Sequence, residues 1–457
     1  MPLLLRCSPP ASPLPLPLPL LPRRCSSLVR SAAPPGRRPL LPAAAGRVVL
    51  GCGLVTLDYL ATVDAYPRPD DKIRSGELQV SGGGNAGNAL TGAARLGLNT
   101  RLISKVANDE IGGTVLSELK EAGIDISHVI GWKASNHVYI EKVVRYNKLV
   151  TKMSRINKRK MHSERYWGAT NALDFLPCVL YFIISDGGNT TFVYVIIDKQ
   201  TKTRTCIITS GYPPMIPSDL TMSSLSAALQ DVSLLYLDGY SDEMALAVAK
   251  QADQMKIPIL VDAEPERTRE ELGGLLSLAS YIVCNGKFPE KWTSIPSIPS
   301  ALLEILLQYP RARFAVVTLG ENGCMMLERG KDGENYETEP VDIENVAETL
   351  RLKVHKDDIL PTCVSSKFMR LTARGPGNIF ARLLIGTAES IPASELVDTT
   401  GCGDAFIGAV LHGLSTEMPP EKMLPFACQV AGIKCRAIGA RSGLPWQSHP
   451  CLAKFLC

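Results

Sequence analysis

The amino-acid sequence predicts an α/β protein with a doubly wound, mostly parallel sheet, helices on both faces and a small β lid. Three features support this fold class: short apolar runs bounded by turn residues, helical apolar periods between them, and two strand-like stretches that no helix separates. Of the 457 residues, 45% are hydrophobic and 21% are charged, as in ordinary globular proteins. The apolar runs that we predict to be strands of the main sheet lie at 48–57, 101–106, 234–238, 258–262, 281–284 and 314–319.

Helices are predicted between these strands. Apolar residues recur there at i, i+3, i+4 and i+7, which places them on one face of a helix. Strands that alternate with such helices form βαβ units and a parallel sheet, and such sheets bind ligands at the carboxyl ends of their strands. The clearest patterns are Ala86, Ala89, Leu90 and Ala93, and Ala245, Val248, Ala249 and Ala252.

The β lid is predicted from the segments 59–81 and 186–209. Within the second segment, "TFVYVIIDK" (191–199) and "TRTCIIT" (203–209) have the pattern of two hairpin strands. No helical period lies between them, so they do not fit the βαβ pattern of the main sheet. We therefore expect a small β layer that covers the main sheet.

Residues 1–47 form a leader with twelve prolines, seven arginines and no acid; the first acid is Asp58. Prolines at 13, 15, 17, 19 and 22 prevent a helix, so the leucines among them cannot form a membrane span. A leader with this composition is typical of organelle transit peptides. We expect a plastid protein, with mitochondrion and cytoplasm as alternatives; a disordered tail is the other interpretation of the leader.

The body of the chain is slightly acidic. Without the seven leader arginines, 42 basic residues face 45 acidic ones, a net charge of −3. A nucleic-acid partner is not expected, because such proteins keep a basic face, and a membrane partner is not expected either. The thirteen cysteines contain no Cys-x-x-Cys pair and the six histidines no ligand pair, which excludes a disulfide framework or zinc site.

Two stretches interrupt the predicted domain at 48–445. Residues 131–184 contain the basic run "MSRINKRKMHSER", and residues 330–378 are polar and irregular. Structureless inserts of this length are unusual in a compact domain. We interpret 131–184 as peripheral, or as retained intron sequence, and leave the structure of 330–378 open. Residues 446–457 are interpreted as a tail.

The segment "DTTGCGDAF" (398–406) carries the strongest chemical signal. An apolar run follows it, so Gly401, Cys402 and Gly403 are predicted to begin a helix whose first amides have no intrahelical partners. Such amides form a cradle for negative charge. Asp404 beside that cradle suits a general base that deprotonates a hydroxyl during phosphoryl transfer. The alternative is a purely structural Asp cap on a glycine-rich turn.

"VDTTGCGDAF" resembles the C-terminal signature of the PfkB, or ribokinase-like, sugar kinases, with Cys402 in the usual place of Ala. The same family has an N-terminal signature that "SGGGNAGNALTGAARLG" (81–97) resembles. Details such as "GGNAGN" and "CQVAGIKC" are similar to the ketohexokinase-like branch. The resemblance covers about 48–130, 185–330 and 385–445, and it implies a ribokinase-like fold and an ATP-dependent kinase.

The spacing of Gly82, Gly84 and Gly87 also matches a dinucleotide fingerprint, with Asp109 some twenty residues on. An NAD-dependent oxidoreductase is therefore one alternative function. Its weakness is that the fingerprint belongs after the first strand, which we place at 48–57. A non-catalytic kinase-fold scaffold is the other alternative.

The resemblance implies which residues contact the acceptor. Asn85 and Asn88 lie at i and i+3 on one helix face and can both donate and accept hydrogen bonds, as a polyol requires. By resemblance, the substrate-binding residues are Asp58, Gly84, Asn85, Asn88 and Asp404. Asp58 is predicted at the end of the first strand, and an acid that only terminates the strand is the alternative there.

The resemblance also implies a nucleotide site. The strand and turn "VVTLGENG" (316–323) resemble the loop near the ATP phosphates or ribose. Arg204 is a candidate for the phosphates, with a surface arginine as the alternative. The segment 424–443 resembles the adenine-side wall. The predicted ATP-binding residues are Thr318, Gly320, Glu321, Asn322, Gly323, Gly401, Gly403 and Arg204.

Two metal predictions accompany the nucleotide. Many members of the family hold Mg²⁺ through water with Asn-x-x-Glu, but here Asn285 is followed by Phe288 in place of Glu, and Glu290 comes two residues late. Asn285 remains the candidate, with the nucleotide phosphates as the main magnesium ligands. Asp398 and Thr400 are the candidates for a monovalent cation such as K⁺.

The prediction as a whole is an ATP-dependent kinase that phosphorylates a hydroxyl of a sugar or related polyol or nucleoside. Asp404 is the predicted base, and the amides of Gly401, Cys402 and Gly403 are the predicted anion hole. The lid would exclude water. An exposed lid also suggests a homodimer formed through it. The sequence does not identify the acceptor.

Overall fold

The computed structural model describes residues 47–129, 184–185, 188–201, 203–240, 242–331, 339–355, 358–373 and 377–456. All of them belong to the unit that runs from Leu40 to Cys457. The leader up to residue 46 and nearly all of the basic insert lie outside the described residues. Within the described part of the chain, no helix is long and apolar enough to cross a membrane.

Among the described residues, the central sheet has eleven strands. From β4 through β1, β9, β10 and β11 to β12 all neighbours are parallel, whereas β13, β17 and β16 pair antiparallel. The predicted mostly parallel sheet is therefore confirmed. The order is β14-β16-β17-β13-β12-β11-β10-β9-β1-β4, with β15 beside β17. Its strands are β1 (Val48–Cys52), β4 (Asn99–Ile103), β9 (Val232–Leu237), β10 (Ile259–Ala263), β11 (Tyr281–Asn285), β12 (Phe314–Thr318), β13 (Cys324–Arg329), β14 (Val341–Asp342), β15 (Cys363–Ser365), β16 (Met369–Thr372) and β17 (Asn378–Gly386).

Helices cover both faces of this sheet and bury an apolar core on each side. One core receives α3 to α8, and the other receives α1, α2, α9 and α10. This arrangement confirms the doubly wound α/β class. The helices are α1 (Asn85–Arg95), α2 (Glu110–Glu121), α3 (Met222–Leu229), α4 (Asp242–Gln254), α5 (Arg269–Leu278), α6 (Phe288–Thr293), α7 (Ile298–Gln308), α8 (Ile343–Lys353), α9 (Cys402–Ser415), α10 (Pro420–Lys434) and α11 (Ala453–Leu456).

A second sheet of four strands forms the lid, in the order β3-β2-β7-β8. Its strands are β2 (Thr56–Val63), β3 (Glu77–Gly83), β7 (Phe192–Asp198) and β8 (Arg204–Thr209), and a short pair joins β5 (Val106–Ala107) to β6 (Ile184–Ser185). The predicted lid and its β7–β8 hairpin are confirmed. Leu60, Val193, Val195 and Ile197 form a small apolar core on the inner side of the lid.

The run 48–57, predicted as one strand, is divided between the two sheets. β1 ends at Cys52, the chain turns through 53–55, and β2 begins at Thr56 in the lid. The prediction was wrong because every residue in the run is apolar or small, so the pattern gives no sign of the turn. Asp58 consequently belongs to a lid strand and not to the end of the first strand of the main sheet.

The segment 330–378 contains more regular structure than its polar composition predicts. Within its described residues, β14, α8, β15 and β16 extend the central sheet. Helix α8 buries Ile343, Ala347 and Leu350, which follow the i, i+4, i+7 spacing of one helix face. The expected tail is also packed, since Leu452 and Phe455 are buried against the second core.

Candidate active site

Asp404 lies in the first turn of α9, where the carboxyl ends of the central strands meet the lid. Gly401 precedes the helix with φ = 73°, a left-handed conformation that favours glycine. The Asp404 carboxylate is half-buried, and its Oδ2 accepts a hydrogen bond of 2.8 Å from Asn88 Nδ2. Burial raises the pKa of Asp404 to about 6, while the Asn88 bond and the positive charge of Arg204 act to lower it. The group is therefore mostly ionised at neutral pH and still able to take a proton.

The predicted cradle of three amides is only partly open. The Cys402 N–H donates to the Thr399 carbonyl at 3.3 Å. Within the described residues, the amides of Gly401 and Gly403 have no hydrogen-bond partner. Two amides of the predicted three are thus free at the positive end of α9.

The cysteine that replaces the usual Ala is accommodated by a second cysteine. Cys402 Sγ lies 3.1 Å from the sulfur of Cys435, and both are free thiols. The Cys435 contact and burial raise the pKa of the Cys402 thiol well above its usual value. This side chain points away from the open amides, toward the loop after α10.

The predicted substrate residues gather around the start of α1. Gly84 adopts φ = 83°, and a Cβ there would lie 2.5 Å from the Leu54 carbonyl oxygen. Asp58 is buried, its carboxylate accepts from Thr56 Oγ1 at 2.6 Å, and burial raises its pKa. Asn85 is half-buried and donates from Nδ2 to Glu264 at 2.8 Å.

Asn88 differs from Asn85 because it is only 4% exposed and bonded at both ends of its amide. Its Nδ2 donates to Asp404, and its Oδ1 accepts from Arg441 Nε at 2.9 Å. Arg441 is buried, also donates to the Gly83 carbonyl at 2.6 Å, and has a pKa that burial lowers to about 10. The structure thus adds a buried arginine to this site that sequence reasoning missed.

Three further acids face the same region and were also missed. Asp238 follows β9, and its carboxylate accepts from the Leu54 N–H at 2.6 Å. Asp262 is the last residue but one of β10, and Glu264 follows that strand. Burial raises the pKa of Asp238 to about 6 and raises the pKa values of Asp262 and Glu264. Asp238 and Asp262 end the predicted strands 234–238 and 258–262, and Glu264 follows the second, so their position was readable in the sequence as a signal for a ligand site.

A cavity of about 290 Å³ lies beside Leu54, whose N–H donates to Asp238. It lies between the main sheet and the lid and is lined by Leu54, Tyr240, Arg267, Asn189 and Thr191, among others. Because Leu54 bonds to Asp238, the cavity opens beside the carboxylate cluster.

The predicted nucleotide loop lies at the end of β12. Thr318 is half-buried, residues Gly320–Asn322 form a 3₁₀ turn, and Glu321 and Asn322 are exposed. A Cβ on Gly323 would lie 2.0 Å from the Gly386 carbonyl, so this turn requires glycine. Arg204 is exposed on β8, and its charge acts on the pKa values of Asp404 and Asp58, so it faces the acceptor side as well.

The residues present do not build a magnesium site by themselves. Asn285 is exposed at the end of β11, but its Oδ1 already accepts from the Lys287 N–H at 3.0 Å. Phe288 is buried in the core, and Glu290 is exposed on the next helix. Among the described residues, no group of three or more His, Cys, Asp or Glu is arranged to hold a metal ion.

The predicted monovalent-cation residues bond to each other and to a lysine. Asp398 is buried, and its Oδ1 accepts from the Thr400 N–H at 2.8 Å and from Thr400 Oγ1 at 2.7 Å. Lys434 Nζ lies 3.9 Å from Asp398 Oδ2. These contacts leave the two residues a poor fit to a bound cation.

The dinucleotide fingerprint does not fit its place in the fold. Gly82 lies at the end of β3, an antiparallel lid strand, and not after a strand of the parallel sheet. Asp109 caps α2 by accepting from the Gly112 N–H and also bonds to Thr190. The helix that follows Gly84 therefore carries the asparagines of the acceptor region.

The fold and this cluster, an acid in the first turn of a helix beside open glycine amides, define an α/β kinase. The sequence model of the pfkB family carbohydrate kinases matches residues 49–176, 179–350 and 386–447, most of the chain. The chain belongs to this family, as its two signatures predicted, and the resemblance to a carbohydrate kinase is confirmed.

Two known enzymes illustrate the similarity along the whole chain. Mouse ketohexokinase is 20% identical over 393 residues, which cover 85% of this chain and 95% of ketohexokinase. Mouse ribokinase is 22% identical over 433 residues, which cover 92% of this chain and 98% of ribokinase. At these identities the ketohexokinase-like branch is not favoured over ribokinase.

Solved structures show the same fold. The ribokinase of Arabidopsis thaliana complexed with ribose and ATP superposes with a TM-score of 0.56 at 15% identity, over 90% of this chain and 98% of the other. The ribokinase of Cryptococcus neoformans in complex with ADP gives 0.56 at 16% identity, over 88% and 97%. The ribokinase-like fold is therefore confirmed.

Proposed function

We propose that this protein is an ATP-dependent kinase that transfers the γ-phosphoryl group to a hydroxyl of a sugar or related polyol or nucleoside. The observation that carries the proposal is the position of Asp404. Its half-buried carboxylate has a pKa of about 6 and lies in the same helical turn as the open amides of Gly401 and Gly403. A base and an anion cradle on one turn are what in-line transfer to an alcohol requires.

The chemistry at this turn follows from the charges. Asp404 takes the proton of the acceptor hydroxyl as its oxygen attacks the γ-phosphorus, and ADP leaves with the bonding electrons. The Gly401 and Gly403 amides donate to the phosphoryl oxygens, where negative charge is largest during transfer. The 2.8 Å hydrogen bond from Asn88 fixes the orientation of the Asp404 carboxylate and also acts to lower its pKa.

A neutral, polyhydroxylated acceptor suits the other side of the site. Carboxylates accept hydrogen bonds from hydroxyls but repel an anion. Asn85 offers its free amide oxygen while it is held by Glu264. The adjoining cavity has room for the part of the acceptor that does not react. The carboxylates that can take part are Asp58, Asp238, Asp262, Glu264 and Asp404.

We assign ATP to the edge formed by Thr318 and the turn Gly320–Gly323. The arrangement is supported by the family and by the two ribokinases solved with ATP and ADP. Magnesium would arrive on the nucleotide phosphates, because Asn285 offers only one neutral oxygen that is already in use. Arg204 on the lid can approach the transferring phosphoryl from the opposite side.

The lid is proposed to exclude water and to join two copies of the chain. Residues Val80, Tyr59, Tyr194 and Ile207 are neighbours across all four strands, which places them in one outward row. Val80, Tyr194 and Ile207 are each about half exposed. An apolar row of this kind supports an isologous dimer.

Residues 1–47 are proposed to be a plastid transit peptide because of their composition. Fusing them to a fluorescent protein in plant cells tests this directly. Plastid fluorescence is expected; mitochondrial or cytosolic fluorescence would replace the assignment.

The test of the function is ADP release from ATP with pentoses, ketohexoses and nucleosides as acceptors. We expect release that depends on one acceptor class, and an Asp404→Asn protein slower by about 10²–10⁴-fold. Asp125→Asn is the matched control, since the Asp125 side chain is exposed and its bonds within the described residues are to the Ser127 N–H and the Arg101 guanidinium. A well-folded Asp404→Asn protein as fast as the wild type would refute the base. No release with any acceptor would favour a non-catalytic scaffold.

A further inference from the structure

Lys434 is the last residue of α10, and its side chain is completely buried. Its ammonium donates to the main-chain carbonyl of Asp398 at 2.9 Å and to that of Ala437 at 3.3 Å. Asp398 Oδ2 lies 3.9 Å away on a third side. A lysine ammonium has three N–H donors and no acceptor; the two carbonyls accept from two of them, and the Asp398 carboxylate completes the surroundings as an ion pair.

The remaining bonds of Asp398 leave no opening for a second cation. Its Oδ1 accepts from the Thr400 N–H and hydroxyl, and its Oδ2 accepts from the Gly439 N–H at 2.8 Å. The buried carboxylate and the buried ammonium balance each other. A metal ion added here would need the same two carbonyls and would leave a buried positive charge without a partner, which is costly.

This cluster lies directly behind the proposed anion cradle. It joins the loop that leads into Gly401 to the loop that follows α10. Gly401 packs against the second loop, since a Cβ on it would lie 2.6 Å from the Ala440 Cβ. The position of the open amides therefore depends on what holds these two loops together.

We propose that the Lys434 ammonium is a built-in monovalent cation that shapes the cradle, so that this kinase works without bound potassium. The ammonium carries one positive charge and is ringed by oxygens, as a potassium ion between the same loops would be. It is part of the chain and is present whatever salt surrounds the protein. The consequence for catalysis rests on the proposed kinase function; the consequence for stability does not.

The first arm of the test uses the wild-type protein in chlorides of K⁺, Na⁺ and tetramethylammonium at constant ionic strength. We expect initial rates of ADP release and unfolding temperatures that agree within about twofold and about 2 °C. A severalfold activation by K⁺, or a rise in unfolding temperature specific to K⁺, would overturn the proposal.

The second arm compares Lys434→Ala with Lys434→Met. Both remove the charge, leave Asp398 without its buried partner, and should lower the unfolding temperature by about 5–15 °C. Alanine also leaves a space beside the carbonyls, whereas the methionine side chain fills it. We expect K⁺ to restore most of the lost unfolding temperature, and about tenfold or more of kcat, in Lys434→Ala but not in Lys434→Met.

Lys105→Met is the matched control. Lys105 is also nearly buried, donates to the Pro214 carbonyl at 3.0 Å and lies 2.8 Å from Asp219; because it lines the 290 Å³ cavity, only its unfolding temperature serves as the control. Its loss of stability should be the same in K⁺ and Na⁺.

If K⁺ restored the unfolding temperature of neither Lys434→Ala nor Lys434→Met, or restored both equally, the Lys434 proposal would be wrong. If the wild type had no kinase activity, the unfolding temperatures would still test whether the Lys434 ammonium takes the place of K⁺. If Lys434→Ala failed to fold in Na⁺, its recovery when refolded in KCl is the deciding measurement.

Discussion

At the scale of single residues, Asn88 shows how a buried arginine can determine the orientation of an amide. Arginine only donates hydrogen bonds, so the amide oxygen of Asn88 must face Arg441 Nε. The amide nitrogen is then turned toward Asp404, whose ionised carboxylate only accepts. Two partners of opposite character thus fix the side chain that aims the proposed base.

We expect Arg441→Met to lower kcat by about 10–100-fold, since one charge-assisted hydrogen bond is lost and Asn88 is free to flip. The flipped amide would present its oxygen to Asp404 and raise the pKa of that group, so the acidic limb of the rate profile should move above its wild-type position near pH 6. The pH dependence of kcat/KM measures both effects.

Arg95→Met is the comparison for that experiment. Arg95 donates to the carbonyls of Arg441 and Leu444 and so supports the same loop, but it does not contact Asn88. An equal shift of the acidic limb in both variants would mean that the loop as a whole, and not the bond to Asn88, is responsible.

The raised pKa of Asp404 also has a consequence for stability. A carboxyl whose pKa is about 6 when folded and near 3.8 when unfolded holds its proton more tightly in the native state. The wild type therefore loses stability as the pH rises from about 4 through about 6. We expect Asp404→Asn to unfold at a higher temperature than the wild type at pH 7.5, and the difference to shrink toward pH 4. Thermal unfolding across that pH range measures it, and a constant difference would contradict the assignment.

At the scale of elements, the lid is a four-stranded sheet with two different faces. Its inner residues are buried, while Val80, Tyr194 and Ile207 of the outward row are about half exposed; Tyr59, between them, also packs against the second core. Strands alternate their side chains, so this division follows directly from their sequence.

We expect the wild-type chain to be a dimer in solution and Ile207→Lys to be a monomer, because a charge at the β8 end of the row would have to be desolvated in the dimer. Light scattering gives the mass of each. Leu352→Lys is the control, since Leu352 is 81% exposed on α8 outside the lid. A monomeric wild type, or a dimer that survives Ile207→Lys, would exclude pairing through this row.

At the scale of the whole molecule, the sequence was most informative where structure is local. The strands at 234–238, 258–262, 281–284 and 314–319 lie within two residues of β9 to β12, because a buried parallel strand is a continuous apolar run between turns. The turn at 53–55 and helix α8 were missed, because the first has no turn residue beyond glycine and the second is mostly polar.

The residues of the candidate site that lie within the two sequence signatures were predicted. Asp404, Gly84 and Asn85 come from short motifs, and the structure brings them together. Arg441, 353 positions from Asn88, and Lys434, 36 positions from Asp398, were not recognised as partners of these residues. Such pairs depend on how distant segments pack, and one sequence contains no pattern that marks them.

The cluster of carboxylates at the proposed acceptor site would affect how the product is released. A newly made phosphate monoester carries nearly two negative charges, and its phosphate would lie beside the Asp404 carboxylate, with the rest of the molecule toward Asp58 and Glu264. These carboxylates can accept hydrogen bonds from a neutral alcohol, but they would repel its charged phosphate ester and so favour release of the ester into solvent. A pocket of this kind favours rapid release of the phosphorylated product.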